Sequence, residues 1–347
     1  MTLKEFLTQG EAKLSAGPHP QCARRDAETL LLHLLGKNRA WLLAHLNDPF
    51  GGCTAIQFAT LLDRRLTGEP IQYITGECEF YGLPFRVTPA VLIPRPETEH
   101  LVETAMKIAG APSMESATSG RRGWETTSSS TPGAPGLASE TWESNEPSSA
   151  PSMESATSGR HGWESNEPRP APPTSAVPAA FVRILDVGTG SGAIAIALAH
   201  HLPHARVTAI DLSADALRIA EENAKRNSVA VRFLQGDLLA PVAGQQFDII
   251  VSNPPYVPAT DRDTLSVEVR EHEPHLALFA DADGLSVYRR LIPAAFAALV
   301  PGGFLLLEIG YGQSAAVQSL LASAGFQHIH VTPDLQGIPR VVAALHP

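Results

Sequence analysis

The chain has 347 residues, of which 44% are hydrophobic and 18% are charged, and its formal net charge is −10. This composition is typical of soluble globular proteins, and the length suffices for two domains. The sequence contains no run of about 18 apolar residues, so no membrane-spanning helix is predicted. The first residues lack the apolar stretch of a signal peptide. The acidic balance argues against a general nucleic-acid binder, which usually carries a basic surface. We therefore expect a cytoplasmic protein whose partner is neither a membrane nor a nucleic acid.

The three cysteines, Cys22, Cys53 and Cys78, are widely scattered. They show neither the spacing of metal ligands nor the even number of a disulfide framework. We expect free thiols in a reducing compartment, and we expect no metal site.

Residues 1–75 are predicted to form a small helical domain. Apolar residues recur at helical spacing over residues 27–46 and again over residues 55–68. Few side chains in this region suit catalysis. Two hypotheses therefore stay open for it: a domain that only packs, or a docking surface for a partner.

Residues 76–93 are predicted to form a β-hairpin linker. The sequence from Ile71 to Val91 is rich in aromatic and β-branched residues, with glycine and proline between them, which indicates strands and turns. Pro94 and Pro96 follow. Because proline does not fit a helix interior, we expect both to precede the amphipathic helix that runs through Ala109.

Residues 111–178 have a different character. The sequence APSMESATSGR occurs at Ala111 and again at Ala150, and WESNEP also occurs twice. Serine, threonine, glycine, proline and glutamate dominate, without apolar periodicity. We predict a disordered insertion into a domain that spans residues 94–347, and not a solenoid of packed repeats.

From residue 181 onward, strand-like runs alternate with helical segments. FVRILDVG, ARVTAIDL and FDIIVSNPP are predicted strands, and segments of helical periodicity separate them. This alternation predicts an α/β domain with a mostly parallel sheet covered by helices on both faces.

A glycine-rich turn follows the first of these strands. Asp186 ends the strand, and Gly188, Gly190 and Gly192 lead into the next helix. Glycines allow a tight turn and a close approach of the backbone to a ligand. An acidic residue here would repel a pyrophosphate, so it suits a cationic ligand such as an amino acid's ammonium group beside a sulfonium. The other interpretation is a plain strand–helix turn.

Two further aspartates follow predicted strands. Asp211 lies about 20 residues after the glycines, the usual place of an acidic residue that binds ribose hydroxyls, although a helix cap is an alternative. Asp237 is a candidate acceptor for an adenine amino group, and Leu238 would pack on the ring. The alternative for Asp237 is a turn residue.

The sequence Asn253-Pro254-Pro255-Tyr256 follows the strand FDIIVS. The two prolines make a stiff loop without backbone donors. An asparagine oxygen and a proline carbonyl together accept both hydrogens of an NH2 group, and Tyr256 offers a flat face to a planar amide or base. Accepting those hydrogens orients a weakly nucleophilic nitrogen toward a methyl sulfonium. We interpret this motif as the catalytic one.

Together these motifs resemble a known family. The glycine-rich turn, Asp211 and NPPY are similar to class I S-adenosylmethionine-dependent methyltransferases that act on planar amino groups. The stretches QYITGECEFYG, LIPRPETEHLVE, ILDVGTGSGAIAIALA, FDIIVSNPPYV, EPHLALFA and LLLEIGYGQ narrow the resemblance to the peptide chain release factor glutamine methyltransferases. The resemblance covers nearly the whole chain except residues 111–178.

The resemblance implies a Rossmann-like domain with a seven-stranded sheet, a monomer, and methylation of the glutamine in the Gly-Gly-Gln loop of class 1 release factors. The products would be N5-methylglutamine and S-adenosylhomocysteine. Asn253, Pro254 and Tyr256 would be catalytic and, with Pro255, would bind the substrate. Residues 94–98 would form a wall of the site, in which Arg95 meets a carboxylate or braces the loop. The residues implied for cofactor binding are Gly188, Thr189, Gly190, Ser191, Gly192, Asp211, Asp237, Leu238 and Asn253.

Leu238 departs from the family, in which an aromatic residue often follows the aspartate; this weakens any stacking argument at that position. Two alternatives remain. An adenine-N6 methyltransferase uses the same NPPY grip but must bind phosphates and usually flips a base, and the net charge counts against it. A non-catalytic cofactor-binding protein of the translation machinery is disfavoured by the intact motifs.

Overall fold

The computed structural model describes residues 1–110 and 181–347, so the predicted repeat insertion at residues 111–178 lies outside the described residues. Twelve α-helices and nine strands lie within the two described ranges. The helices are α1 (Leu3–Leu14), α2 (Ala23–Leu35), α3 (Arg39–Ala44), α4 (Cys53–Leu66), α5 (Ile71–Thr75), α6 (Glu99–Ala109), α7 (Ala193–His201), α8 (Ala214–Arg226), α9 (Val267–His272), α10 (His275–Leu278), α11 (Ser286–Ala298) and α12 (Ser314–Ser323). The strands are β1 (Glu77–Phe80), β2 (Leu83–Arg86), β3 (Val182–Val187), β4 (Ala205–Asp211), β5 (Arg232–Gln235), β6 (Phe247–Ser252), β7 (Leu299–Glu308), β8 (Gln327–Pro333) and β9 (Pro339–Leu345).

Helices α1–α5 form an N-terminal bundle around one apolar cluster. The bundle begins with a capping box, in which Thr2 and Glu5 satisfy each other's backbone amides. Gly36 ends α2 in the left-handed conformation, at φ 60°. The predicted helical nature of residues 1–75 agrees with this structure.

The structure corrects part of the strand prediction for the stretch that begins at Ile71. Its β-branched and aromatic residues predict strands, but Ile71–Thr75 forms the short helix α5. Pro70 at its N-cap and Gly76 at its C-cap, at φ 76°, bound this turn, and Tyr73 and Ile74 are buried. Ile74 packs in the bundle and Tyr73 packs against Val91 and α8, and this burial outweighs the intrinsic strand preference of these residues. Strands β1 and β2 then pair as an antiparallel hairpin, inside the predicted hairpin range.

The remaining strands form a seven-stranded sheet in the order β5-β4-β3-β6-β7-β9-β8. Strands β3 to β7 run parallel, and β9 pairs antiparallel with both β7 and β8. The chain moves outward from β3 through β4 to β5 and then returns to the other side of β3 for β6. The strand order therefore reverses between β3 and β6, the point at which open α/β sheets bind ligands.

Both faces of this sheet are buried. Successive residues of β6 point to opposite faces, so Ile249 belongs to the apolar cluster under α6 and α7, and Ile250 to the cluster under α11 and α12. Parallel strands covered on both faces are apolar throughout, which explains the continuous runs in the sequence. The predicted mostly parallel α/β fold is confirmed. The short helices α9 and α10, between β6 and α11, were not predicted.

No helix in residues 1–110 or 181–347 combines the length and the apolar character that crossing a bilayer would require.

A buried arginine joins the bundle to the segment after β6. Arg65 of α4 is 5% exposed and Asp26 of α2 is 3% exposed. Arg65 Nε donates to Asp26 Oδ2 at 2.7 Å, and its Nη1 atom lies 2.5 Å from Glu268 Oε1 of α9. Nη1 also donates to the Glu69 carbonyl at 2.9 Å. One guanidinium thus neutralises two carboxylates that belong to different parts of the chain.

Replacing Arg65 with methionine is expected to lower the free energy of unfolding by about 3 kcal/mol, because removing one member of a buried ion pair leaves its partner uncompensated. Urea denaturation measures this loss. The neighbouring Arg64 is the matched control: its pair with Glu69 is 42% exposed on the arginine side, so Arg64→Met is expected to cost less than about 1 kcal/mol. Equal losses in the two variants would contradict the assignment.

Candidate active site

The strand register brings the predicted motifs to one edge of the sheet. Val187 of β3 pairs with Ile210 of β4 and Ser252 of β6, and Ser252 pairs with Leu307 of β7. The next residue of each strand or loop is therefore level with the others: Gly188, Asp211, Asn253 and Glu308. Carboxyl ends of parallel strands meet at a single edge, so these residues from four segments lie together there.

The glycine-rich turn is anchored to the neighbouring strand. The amides of Gly188 and Thr189 donate to the Ile210 carbonyl, at 2.9 and 3.0 Å. The Gly190 amide donates to Asp211 Oδ2 at 2.8 Å. Asn223 of α8 donates to the Ser191 carbonyl at 2.9 Å. The structure thus brings Asp211 and the glycine-rich turn into direct contact.

The three glycines of the turn have two different surroundings. All have positive φ, at 75° for Gly188, 55° for Gly190 and 82° for Gly192. A Cβ atom at Gly188 or Gly190 would meet nothing within 4 Å, whereas one at Gly192 would lie 2.8 Å from Ile196 Cδ1 and 3.1 Å from Ala220 Cβ. Gly188 and Gly190 therefore leave open space for a ligand, and Gly192 permits the close approach of α7 and α8.

Asp186 is fully buried below the turn. Its Oδ2 atom accepts from the Thr189 hydroxyl at 2.6 Å and from the Ala195 amide at 3.2 Å. Its Oδ1 atom has no hydrogen-bond partner among the described residues. The pKa of Asp186 is raised to about 7, mainly by burial. The two hydrogen bonds lower this pKa, and the charge of Asp211 raises it. A buried acceptor with a spare oxygen fits the cationic ligand that the sequence predicts.

Asp211 is held between the turn and the start of α8. Its Oδ1 atom accepts from the Ser213 amide at 2.8 Å, which completes the pair of hydrogen bonds begun by Gly190. Burial raises the pKa of Asp211, and the backbone amides oppose that rise. Each carboxylate oxygen has a second lone pair, so the side chain keeps acceptor capacity for ribose hydroxyls. The helix cap itself is Ser213, which accepts from Ala216.

Asp237 and Leu238 differ in their surroundings. Asp237 is exposed, and its carboxylate forms an ion pair with Arg290 of α11. The carboxylate is thus engaged by a cation on α11. Leu238 has a positive φ of 49° and packs against the apolar cluster that contains Val187 and Ile210.

The NPPY loop follows β6 directly. Pro254 is buried, and Asn253, Pro255 and Tyr256 are half-buried. Asn253 Nδ2 donates to Thr98 Oγ1 at 3.1 Å. Among the described residues, the Pro254 carbonyl receives no hydrogen bond. Thr98 therefore engages the NH2 end of the Asn253 amide, and the amide oxygen and the Pro254 carbonyl keep their acceptor capacity.

Gln313, at the start of α12, fixes the end of that loop. Its Nε2 atom donates to the Tyr256 carbonyl at 2.9 Å, and its Oε1 atom accepts from the Gly310 amide at 3.0 Å. A Cβ at Gly310 would lie 2.9 Å from Tyr256 Cδ2. The absence of a side chain at residue 310 therefore leaves room for the Tyr256 ring.

Glu308 is the residue at this edge that sequence reasoning did not assign. It is 2% exposed. Its Oε2 atom accepts from Thr98 Oγ1 at 2.6 Å, and its Oε1 atom accepts from the Tyr256 hydroxyl at 3.4 Å. A signal was present, because Glu308 ends an apolar strand as Asp211 does, and Asp186 lies one residue before the end of β3.

Residues 94–98 reach the NPPY loop through Thr98, which accepts from Asn253 Nδ2. Arg95 meets a carboxylate: its Nη2 atom lies 2.5 Å from Glu273 Oε1, which follows α9. Glu273 is 4% exposed. Burial raises its pKa, and the Arg95 charge counters that rise. Arg95 thus braces the segment that follows the NPPY loop.

Within residues 1–110 and 181–347, no group of three or more histidine, cysteine or acidic side chains is placed to hold a metal ion.

Comparison with known proteins agrees with this geometry. Residues 5–76 match the PrmC N-terminal domain, and residues 174–270 match the methyltransferase small domain. Release factor glutamine methyltransferase of Koribacter versatilis is 35% identical over 348 residues, which cover 100% of this chain and 99% of the relative. That of Moorella thermoacetica is 38% identical over 347 residues, covering 99% and 98%. That of Geobacter sulfurreducens is 36% identical over 320 residues, covering 92% and 88%.

The chain belongs to the release factor glutamine methyltransferase family. The family resemblance inferred from the motifs is confirmed. Membership in this family makes the chain a methyltransferase, and the sheet edge that carries the glycine-rich turn and NPPY is its candidate active site.

The raised pKa of Asp186 predicts a pH-dependent stability. A carboxyl whose pKa is higher in the folded than in the unfolded state stabilises the fold below the unfolded pKa, and this contribution is lost as pH rises through the folded pKa. The wild-type free energy of unfolding is therefore expected to fall, relative to Asp186→Asn, between about pH 4 and about pH 7. Urea denaturation at several pH values measures both curves. Parallel curves would show that Asp186 is not protonated in the folded protein.

Proposed function

We propose that this chain transfers a methyl group from S-adenosylmethionine to the side-chain amide nitrogen of the glutamine in the Gly-Gly-Gln loop of class 1 release factors. The products are N5-methylglutamine and S-adenosylhomocysteine. The observation that carries the proposal is the pair of acceptors at Asn253 and Pro254, placed level with the glycine-rich turn. The names of the relatives support the substrate class.

The residues around the glycine-rich turn fit the cofactor. Gly188 and Gly190 leave open space, and Thr189 and Ser191 shape the turn. Asp186 Oδ1 accepts from an ammonium group, and Asp211 accepts from ribose hydroxyls. Leu238 lies on the apolar wall for the adenine, with Asp237 beside it. S-adenosylmethionine, when bound, supplies an electrophilic methyl group on a sulfonium.

The NPPY loop holds the nucleophile. Asn253 Oδ1 and the Pro254 carbonyl accept the two hydrogens of the glutamine amide, which fixes the nitrogen in direction. The ring of Tyr256 covers the planar amide, and Pro255 keeps the loop stiff. A new N–C bond forms as the S–C bond breaks, and the nitrogen then loses one proton to water. No general base or metal ion is assigned to this step.

The N-terminal bundle, residues 1–75, is proposed to be the docking domain for the release factor, and residues 76–93 to be its link to the catalytic domain of residues 94–347. The buried contact of Arg65 with Glu268 supports this division of labour, because it ties the bundle to the segment next to the NPPY loop. We infer a cytoplasmic monomer that acts on a protein and not on nucleic acid.

In the decisive assay, the protein is given isotope-labelled S-adenosylmethionine and one of three substrates. These are a release factor, the same factor with its loop glutamine changed to alanine, and duplex DNA. Label is expected on the wild-type factor only. Asn253→Ala is expected to lower kcat about a hundredfold, since it removes one positioned hydrogen-bonding group. Label on DNA would establish the adenine-methylating alternative, and equal label on the altered factor would place the methyl group on another residue.

The glycines of the turn provide a second prediction with an internal control. Gly188→Ala is expected to weaken binding of S-adenosylhomocysteine by about tenfold or more, because the alanine Cβ would project into the space proposed for the ligand. Its effect on folding is expected to be small, since an alanine at positive φ costs only about 1 kcal/mol. Gly192→Ala is expected to lower the unfolding free energy more strongly, because its Cβ meets Ile196 and Ala220. Calorimetric titration and urea denaturation measure the two effects. The reverse pattern would contradict the assignment.

A further inference from the structure

Thr98 stands between two residues of the site, Asn253 and Glu308. Asn253 Nδ2 donates to Thr98 Oγ1 at 3.1 Å, and Thr98 Oγ1 donates to Glu308 Oε2 at 2.6 Å. Thr98 is 4% exposed and Glu308 is 2% exposed, so bulk water does not compete for these hydrogen bonds. Side chains from the turn before α6, the loop after β6 and the end of β7 thus form one continuous hydrogen-bonded chain.

The order of donors in this chain is fixed by chemistry. An ionised carboxylate only accepts hydrogen bonds, and a threonine hydroxyl has a single proton to donate. Because the Thr98 hydroxyl uses that proton in its hydrogen bond to Glu308, its oxygen has only lone pairs left to offer to Asn253. The amide must therefore turn its NH2 group toward Thr98, and its oxygen must face the opposite direction.

This orientation is the one that methyl transfer to an amide requires. If the Asn253 side chain were rotated by half a turn, its NH2 group would meet the NH2 group of the substrate, and two donors would face each other. We propose that Glu308, acting through Thr98, is a positioning residue that holds the Asn253 oxygen toward the substrate, an inference that rests on the proposed function.

Glu308 also reaches the other end of the NPPY loop. Its second oxygen accepts from the Tyr256 hydroxyl at 3.4 Å. One buried carboxylate therefore accepts a hydrogen bond from each side of the loop. The hydrogen-bonded chain of Asn253, Thr98 and Glu308 side chains is called the relay below. Tyr288 of α11 contacts Glu308 outside the relay, because its hydroxyl donates to the Glu308 backbone carbonyl, at 2.8 Å.

Protonation of Glu308 would reverse the relay. A neutral carboxyl donates its proton to Thr98, the Thr98 hydroxyl then turns to donate to Asn253, and the amide rotates. Burial raises the pKa of Glu308 to about 7; the hydrogen bonds of Thr98 and Tyr256 and the Arg340 charge on β9 lower it, and the Glu97 charge raises it. The rate constant kcat is thus expected to rise with pH through this range.

Variants of Thr98 separate the relay from mere packing. Thr98→Val keeps the volume but lacks the hydroxyl, and it is expected to lower kcat about tenfold to a hundredfold, with little change in KM for the release factor or in affinity for S-adenosylhomocysteine. Thr98→Ser keeps the hydroxyl and is expected to restore most of that rate. Tyr288→Phe is the matched control, because it removes a hydrogen bond to the Glu308 backbone and leaves the relay intact. Its kcat is expected to resemble that of the wild type.

Glu308→Gln gives the second measurement. Its amide offers one acceptor and one donor, so the relay loses its fixed direction. The rate constant kcat is expected to fall, and the rise of kcat through about pH 7 is expected to disappear. This variant also serves if Thr98→Val fails to fold. A full rate in Thr98→Val, or an unchanged pH profile in Glu308→Gln, would overturn the proposal.

A readout without substrate keeps the two proposals distinguishable. In ¹⁵N-labelled protein, the side-chain amide signal of Asn253 is identified by its loss in Asn253→Ala. Its protons are expected to exchange with water more slowly in the wild type and in Thr98→Ser than in Thr98→Val. If the wild type fails to methylate a release factor, the proposed function fails, and the exchange rates still decide whether the relay exists. Equal exchange in all three proteins would refute it.

Discussion

The parallel register of four strands is the constraint on which the rest of the site depends. Because β3, β4, β6 and β7 run in one direction and end level with one another, the residues at their carboxyl ends meet at the same edge. The strand order reverses between β3 and β6, so the loops that follow these strands diverge and leave a crevice. A one-residue slip in any of the four would turn its terminal side chain to the other face of the sheet.

Two carboxyl groups are buried at this edge, and they serve different loops. Asp186 braces the glycine-rich turn through Thr189 and the first turn of α7. Glu308 braces the NPPY loop through Thr98 and Tyr256. Burying a carboxyl group is unfavourable, and an apolar residue in the same place would often stabilise the fold more. Their presence where two ligands must be held in fixed directions therefore suggests that rigidity of the loops outweighs stability there.

Much of this arrangement could be predicted from the sequence, because the signals are local. Each signal shapes only the few residues around it. The signals are the alternation of strands and helices, the glycines after β3 and the prolines after β6. Residues whose role depends on distant partners could not be found this way. Glu308 meets Thr98, 210 positions away, and no periodicity links the two. The exposed pairing of Asp237 with Arg290 is similarly a product of how α11 packs. The strand prediction from Ile71 onward was wrong over Ile71–Thr75 for a related reason, since the partners that bury this helix lie far away in the chain.

The contact of Arg65 with Asp26 and Glu268 has a consequence for how parts of this protein are exchanged. A bundle taken from another family member and fused to this catalytic domain would bring its own residue to the position of Arg65. Unless that residue is a cation of similar reach, Glu268 would lose its arginine partner, and the segment between β6 and α11 would keep Arg95 at Glu273 but lose its ion pair with α4. The two domains are thus joined by electrostatics as well as by the chain, and they are interchangeable only as a matched pair.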